Sequence, residues 1–348
     1  MADKSNKKAE LLSLPIEHID ITQFDARPVI DAWEKMSFTS RDAARAARIL
    51  NSAVSDPDCS VVLTLAGSTS AGGCMHVWRD MVRNNMVDAI VATGASIVDM
   101  DFFEALGFKH YQAKDIPDDR ILRDLYIDRI YDTYIDEEEL QACDHTIGEI
   151  ANSLPAKPMS SRAFIHAMGK WLSEGGAKKQ GSLIQECYEH GVPIFVPAFA
   201  DCSAGFGLVK HQVDRMKAGE AYMSIDAVAD FRELTDIKIK AGTTGLFMIG
   251  GGVPKNFAQD TVVCAEILGH EVPMHAYAVQ ITVADVRDGA CSSSTLKEAC
   301  SWGKVDVALE QMVYAEATTV APMIVSDVYH REAWKGRKQR RFADMFED

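Results

Sequence analysis

Apolar residues along the chain alternate between short unbroken runs and longer stretches with a helical period. Ser60-Val-Val-Leu-Thr-Leu65 is one such run, as expected of a strand covered on both faces. It ends in the small residues 66–73, A-G-S-T-S-A-G-G. Residues 74–84 follow, with Val77, Met81 and Val82 on one side of a helix. The pattern recurs. Residues 88–92 form a second run, which ends in Thr93-Gly-Ala-Ser96. Residues 192–196 and 244–249 give two more, with helical stretches near 206–219 and 256–268. Residues 277–283 and 311–315 are further candidate strands. Helices are expected over 40–52, 137–154 and 160–175, with Pro155 and Pro158 separating the last two. Strand, small-residue turn and helix in this order predict an α/β fold, a doubly wound, mostly parallel sheet with helices on both faces.

No repeat, low-complexity linker or break in composition divides the chain. Residues 18–330 read as one domain, between a polar N-terminal tail (1–17) and a charged C-terminal tail (331–348). The polar start, residues 1–10, does not read as a signal peptide and is expected to fray. The basic stretch 335–341 is expected in solvent. No run of 18 apolar residues predicts a transmembrane helix. The formal charge of −15 disfavours nucleic acid and anionic membrane, and attracts cationic small molecules such as polyamines. On charge alone, the first reading is that acidic residues keep a cytosolic protein soluble. The eight cysteines include no C-x-x-C and no Cys/His cluster with zinc spacing, so no metal site is expected. They fit a reduced, cytoplasmic compartment. Cys74, Cys187 and Cys264 read as small buried apolar residues.

Three turns are unusually small. Ile249-Gly-Gly-Gly-Val-Pro-Lys-Asn256 carries a strand through three glycines into a helix. Glycines let backbone N–H groups approach a phosphate, and a helix N-terminus favours negative charge. A tight turn packing helix on sheet accounts for the same glycines. Residues 66–73 and Thr93-Gly-Ala-Ser96, with Asp99 just beyond, are two further such turns. Together they would line one crevice, where dinucleotides bind in doubly wound sheets. Asp201, in Pro197-Ala-Phe-Ala-Asp-Cys-Ser203, can hold a ribose hydroxyl or a substrate ammonium, or cap a helix. In Glu298-Ala-Cys-Ser-Trp-Gly-Lys304, an indole beside Lys304 can withdraw it from water and free a neutral amine as nucleophile. Trp302 can also cover a cation, and Glu298 can bind an ammonium. On spacing alone, Lys304 reads as a surface charge.

Taken in order, these segments resemble the deoxyhypusine synthase family. Glu298 with Ser301-Trp-Gly-Lys304, followed by Val313-Tyr-Ala-Glu-Ala317, is similar to the family's E-x-x-S-W-G-K and V-Y-A-D-A. Gly250-Gly-Gly-Val-Pro-Lys255 is similar to its G-G-G-x-x-K, and residues 193–203 to its P-x-F-x-P-A-x-x-D-G-S. Residues 85–88 and the Thr93 turn resemble its segment ahead of the first cofactor loop. The likeness runs roughly from Ile19 to Tyr329. It implies a Rossmann-like NAD-binding fold, a homotetramer built from tight dimers, and active sites shared across the dimer interface. It implies that Lys304 forms an imine and that Glu298 and Trp302 contact a polyamine. NAD contacts would fall on Ser68, Thr93, Gly94, Ala95, Asp99, Asp201, Gly250, Gly251, Ala284, Asp288, Glu316 and Ala317.

The departures bear on the substrate. Where the family turn continues K-H-H-x-x-N, this chain has Lys255-Asn-Phe-Ala-Gln-Asp260. Asn256 stands for a histidine that assists proton transfer, and cannot act as a base near neutral pH. Phe206 and Cys291 stand for two aspartates, and Asp260 is a new carboxylate. A buried cation needs partners, so the amine sits differently or is a different amine, with Asn256 and Asp260 as its candidate contacts. The branch resembled is the bacterial deoxyhypusine synthase-like one. The expected reaction moves a 4-aminobutyl group from spermidine or putrescine, through the Lys304 imine, to a small amine. The product is of the homospermidine type. The alternative acceptor is a lysine of translation factor 5A. A third reading is an altered NAD- and polyamine-binding protein, or an enzyme acting on agmatine. Lys304 attacks only when neutral, so dryness and the indole wall are expected to outweigh any hydrogen bond. His76, His211 and His275 read as structural or exposed.

Overall fold

Six parallel strands build the central sheet of the computed structural model, which describes residues 2–114 and 117–346. They are β1 (Ser60–Leu65), β2 (Ala89–Ala92), β3 (Ile194–Phe195), β4 (Thr244–Ile249), β5 (Tyr277–Thr282) and β6 (Glu310–Tyr314). Their spatial order is β6-β5-β4-β1-β2-β3. The chain winds outward from β1 to β3, then returns to the other side of β1 and winds outward again. The reversal falls between β1 and β4, the switch point of a Rossmann-like sheet. The register keeps the strand ends level. Leu65 pairs with Ile249 and Ala92, Ile249 with Ile281, and Thr282 with Tyr314.

Alternation along the strands sorts the core into two layers, as a sheet covered on both faces requires. Val61, Leu63, Leu65, Phe247, Ile249, Val279, Ile281 and Val313 face one way. That layer is covered by the helices Thr39–Ser55, Met75–Arg83 and Ala317–His330. Val62, Val91, Leu246, Met248, Ala278 and Met312 face the other. There they meet Leu234 and Ile237 of Ala227–Ala241, Ala258 of Gly252–Gln259, and Leu296 and Ala299 of Leu296–Ser301. The expected fold class therefore holds.

Several local expectations change. The third strand shrinks to Ile194–Phe195 because Pro193 cannot donate and Val196 N donates to Ser161 Oγ at 2.8 Å instead of the ladder. An antiparallel sheet of Tyr111–Gln112, Ile127–Ile130 and Thr133–Asp136 has no counterpart in the sequence reading. Cys74 and Cys187 are buried as expected, whereas Cys264 is half-buried. Both chain ends are more engaged than expected. Ala2–Leu11 is a helix, and Lys8 pairs with Asp136 at 2.9 Å. Arg337 is buried, not solvated. Its guanidinium meets Asp88 Oδ1 at 3.0 Å and donates to Cys59 O at 2.9 Å. Met1 and residues 347–348 lie outside the described residues. No helix among the described residues is long and apolar enough to cross a membrane, and no group of three or more ligating side chains there could hold a metal ion.

Candidate active site

The expected cofactor residues all stand on the six turns that leave the C-terminal edge of the sheet. Ser68 follows β1, and Thr93, Gly94, Ala95 and Asp99 follow β2. Asp201 follows β3, Gly250 and Gly251 follow β4, Ala284 and Asp288 follow β5, and Glu316 and Ala317 follow β6. Neighbouring turns are tied together. Thr93 Oγ1 and Ser96 Oγ each donate to Gly67 O at 2.8 Å. Gln280 Nε2 donates to Gly250 O at 2.8 Å and to Ser292 O at 2.9 Å. A cleft of about 710 Å³ opens at this rim, with Ser68, Thr69, Gly72, Glu316 and Thr318 in its walls. That is within the size range of small-molecule sites. Ala71, Ile16, Glu17, residues 112–113 and residues 130–133 complete the lining. The segments 16–17, 112–113 and 130–133 carried no periodic or motif signal, and sequence reasoning missed them.

Several rim residues have structural work of their own. Asp99 is 5% exposed. Its carboxylate accepts Ala204 N at 2.8 Å and Ser203 N at 3.3 Å, which satisfies the start of helix Ser203–Ala218. Burial pushes its carboxyl above the usual range. Its carboxylate thereby ties the turn after β2 to the turn after β3. A Cβ on Gly94 would strike Cys202 Sγ, and one on Gly251 would strike the Cα of Ser292. Both positions are thus too crowded for a side chain, Gly94 against the Cys202 thiol and Gly251 against the Ser292 backbone. Glu316 caps helix Ala317–His330, accepting Thr318 N at 3.0 Å and Thr319 N at 3.1 Å. Asp288 folds back to accept Ala290 N at 2.8 Å. Asp201 is exposed.

Lys304 is placed by a helix of six residues, Leu296–Ser301, that is closed at both ends. Thr295 Oγ1 accepts Glu298 N at 3.0 Å, which caps the start. At the far end Gly303 has φ +69°. Gly303 N donates to Cys300 O at 2.9 Å and Lys304 N to Ala299 O at 3.1 Å. This is the Schellman pattern, which needs glycine at the left-handed position. Trp302 is therefore the cap residue that follows Ser301, and Lys304 leaves just after the glycine. The following residues run beside the start of β5, where His275 N donates to Lys304 O at 3.0 Å.

Lys304 Nζ lies 2.5 Å from Asp260 Oδ1, and the lysine side chain is only 13% exposed. The Trp302 ring is 5.2 Å from Nζ. Trp302 itself is 65% exposed. The expected indole wall is therefore open to water in this chain, and Lys304 forms an ion pair with Asp260. Asn256 stands one helical turn before Asp260, on the same face. Glu298 is exposed. Lys255, in the first turn of the same helix, is 1% exposed. Its ammonium donates to Cys291 O at 2.9 Å and Ser294 O at 2.5 Å, and so pins the 284–295 loop. Burial pushes that ammonium down to about 8.

A profile of the family described as deoxyhypusine synthase matches residues 28–328. The chain belongs to the deoxyhypusine synthase family. It is 72% identical to the deoxyhypusine synthase-like protein of Caulobacter vibrioides, across 98% of this chain and 93% of that one. It is 70% identical to the protein of the same name in Coxiella burnetii, across 97% and 96%. Among solved structures it is similar in fold to a protein of Entamoeba histolytica assigned as a deoxyhypusine synthase. The TM-score is 0.61 at 18% identity, covering 94% of this chain and 99% of that one. Deoxyhypusine synthase family membership supports aminobutyl transfer in general and leaves the acceptor open.

Within one chain of this family member, the residues gather in two places. The cofactor candidates line the C-terminal edge of the sheet. The lysine and its aspartate lie toward the opposite edge. Asp260 is eight residues down the helix from Gly252, about 12 Å at 1.5 Å per residue. The main chain of Lys304 meets His275, two residues ahead of β5.

Proposed function

We propose that this chain catalyses NAD-dependent transfer of a 4-aminobutyl group from spermidine or putrescine to a small acceptor amine. Transfer runs through an imine on Lys304 and gives a homospermidine-type product. The observation that carries the reading is the Lys304–Asp260 contact. A mostly buried lysine faces a carboxylate at the position where the family motif has asparagine, one turn from Asn256 in place of histidine. The site has been rebuilt around cations rather than emptied.

The rim residues fit a dinucleotide. The cleft has the volume, and Gly67 and Gly250 have φ +76° and +67°, which turn the chain tightly after β1 and β4. Ser68, Thr93, Gly94, Ala95, Asp99, Gly250, Gly251, Ala284, Asp288, Glu316 and Ala317 would hold NAD, with the exposed Asp201 facing its ribose. Bound there, NAD supplies a hydride acceptor and donor, so the transfer is redox-neutral. This chain's own residues orient the amine. Lys304 Nζ bonds to the substrate carbon as the first amine leaves, and is released when the second amine attacks. Glu298 and Trp302 bind the polyamine, which the acidic surface concentrates.

The separation of rim and lysine supports a site completed by a second copy. Trp302, Val253, Val283 and Val286 are 65%, 49%, 77% and 51% exposed around the two clusters. Exposed apolar side chains at both places favour an assembly, in this proposal a homotetramer of tight dimers.

Incubation with NAD and putrescine or spermidine, with amines separated afterwards, tests the reading. Homospermidine is expected from the unaltered protein, and none from Lys304→Arg, which keeps the charge but cannot form the imine. Modification of translation factor 5A without new free polyamine would move the acceptor to a protein lysine. Turnover by Lys304→Arg would remove the lysine from the mechanism.

A further inference from the structure

We propose that Asp260 holds Lys304 in the free protein and is also the seat of the substrate's own ammonium, so that a cationic amine unlocks the lysine that attacks it. This rests on the imine role of Lys304 proposed above. Two observations lead to it. Asp260 is 28% exposed and Lys304 13%, so the carboxylate is the more accessible partner of a contact at 2.5 Å. An arriving cation meets the aspartate before the lysine. Asp260 is also the carboxylate that Lys304 already engages, so a cation that settles there competes with the lysine directly.

The geometry gives the exchange a direction. Lys304 cannot follow Asp260, because its backbone is fixed on both sides. Its N–H closes the Schellman turn on Ala299 O, and its C=O accepts His275 N. The side chain pivots from a rigid base. Once a substrate ammonium takes Asp260, two cations share one carboxylate. The like charge disfavours the protonated lysine. Lys304 then gives a proton to water at the open Trp302 side, and no other bond changes. The neutral amine that results is the species that attacks. In the resting protein the same pairing keeps Lys304 inert toward stray carbonyls.

The neighbours of the pair do not replace Asp260 in this role. Lys255 is buried and bonded to Cys291 O and Ser294. Cys291 and Glu298 are exposed near Lys255, and Asp306 follows Lys304 by two residues. His275 turns its ring away, to Thr244 Oγ1 at 2.7 Å and Ala258 O at 3.2 Å. Burial holds that ring neutral, down to about 3.

The test is calorimetric titration of the protein with putrescine near pH 7.5. No dinucleotide is added, so no hydride chemistry can run. Repeating it in two buffers of different ionisation enthalpy counts the protons released. The unaltered protein is expected to release roughly one proton per site on binding. Asp260→Asn, which keeps the shape, should bind putrescine about tenfold or more weakly and release none. Lys304→Met, which removes the competitor, should bind it more tightly and release none. A purely positioning role for Asp260 predicts no proton release and no tightening. Release that persists in Asp260→Asn would assign the proton to Lys255 and overturn the proposal, as would putrescine failing to bind at all. Proton release without imine formation under turnover conditions would leave the exchange standing and remove the transferase reading. An imine formed without proton release would do the reverse.

Discussion

Asp230 has no exposed surface, and its Oδ1 accepts Ser161 Oγ at 2.9 Å and Arg162 N at 3.2 Å. Its Oδ2 has no hydrogen-bond partner among the described residues. Burial pushes the carboxyl up to about 7. A carboxyl whose folded value lies above its unfolded value of about 3.9 favours the folded state as the neutral acid. That contribution is complete below about pH 4 and is lost as pH rises through about 7. Asp230→Asn, which cannot ionise, should be more stable than the unaltered protein at pH 8, by about 2–4 kcal/mol. The two should be level near pH 4, and denaturant melts at both values check this. An equal difference at both would contradict the assignment. Nothing in the sequence around Asp230 marked it, because a buried acid is defined by what folds over it. Lys255 escaped for the same reason. Lys304 was legible only through the ordered motif. Its partner Asp260 was noticed as an unmatched carboxylate, but the contact between them depends on two helices meeting on one sheet face.

At the scale of elements, runs of apolar residues ending in small turns were enough to place five of the six strands within a residue or so, because a strand buried on both faces has a continuous apolar signature. The strand at Ile194–Phe195 was overdrawn, since Pro193 and the Val196–Ser161 bond truncate it. The small antiparallel sheet escaped because Ile127–Ile130 mixes apolar and charged positions, with three of its four residues exposed. The helix Leu296–Ser301 is too short to persist on propensity and depends on its caps. Gly303→Ala, at φ +69°, should therefore cost about 1 kcal/mol of stability. Its effect on transfer should be larger than that, because the same turn aims Lys304 at Asp260. Comparing the melting temperature with the rate of amine transfer checks this. A variant that loses stability yet keeps full activity would show that the turn does not aim the lysine.

At the scale of the whole molecule, the doubly wound order and the level strand ends follow from the alternation of strands and helices, and every expected cofactor residue falls on one rim. What periodicity does not encode is distance between clusters. The rim and the lysine stand apart within one chain, and the charged C-terminal stretch that reads as solvent-exposed is tied down by Arg337 on Asp88. The account requires rim and lysine to act as a single site in the assembled protein. Borohydride reduction during incubation with NAD and spermidine tests that requirement most directly, followed by mass analysis of the peptide holding Lys304. The account predicts a four-carbon amine fixed to Lys304 only when both NAD and the polyamine are present. An unmodified Lys304 under those conditions, or the same adduct on another lysine, would contradict it.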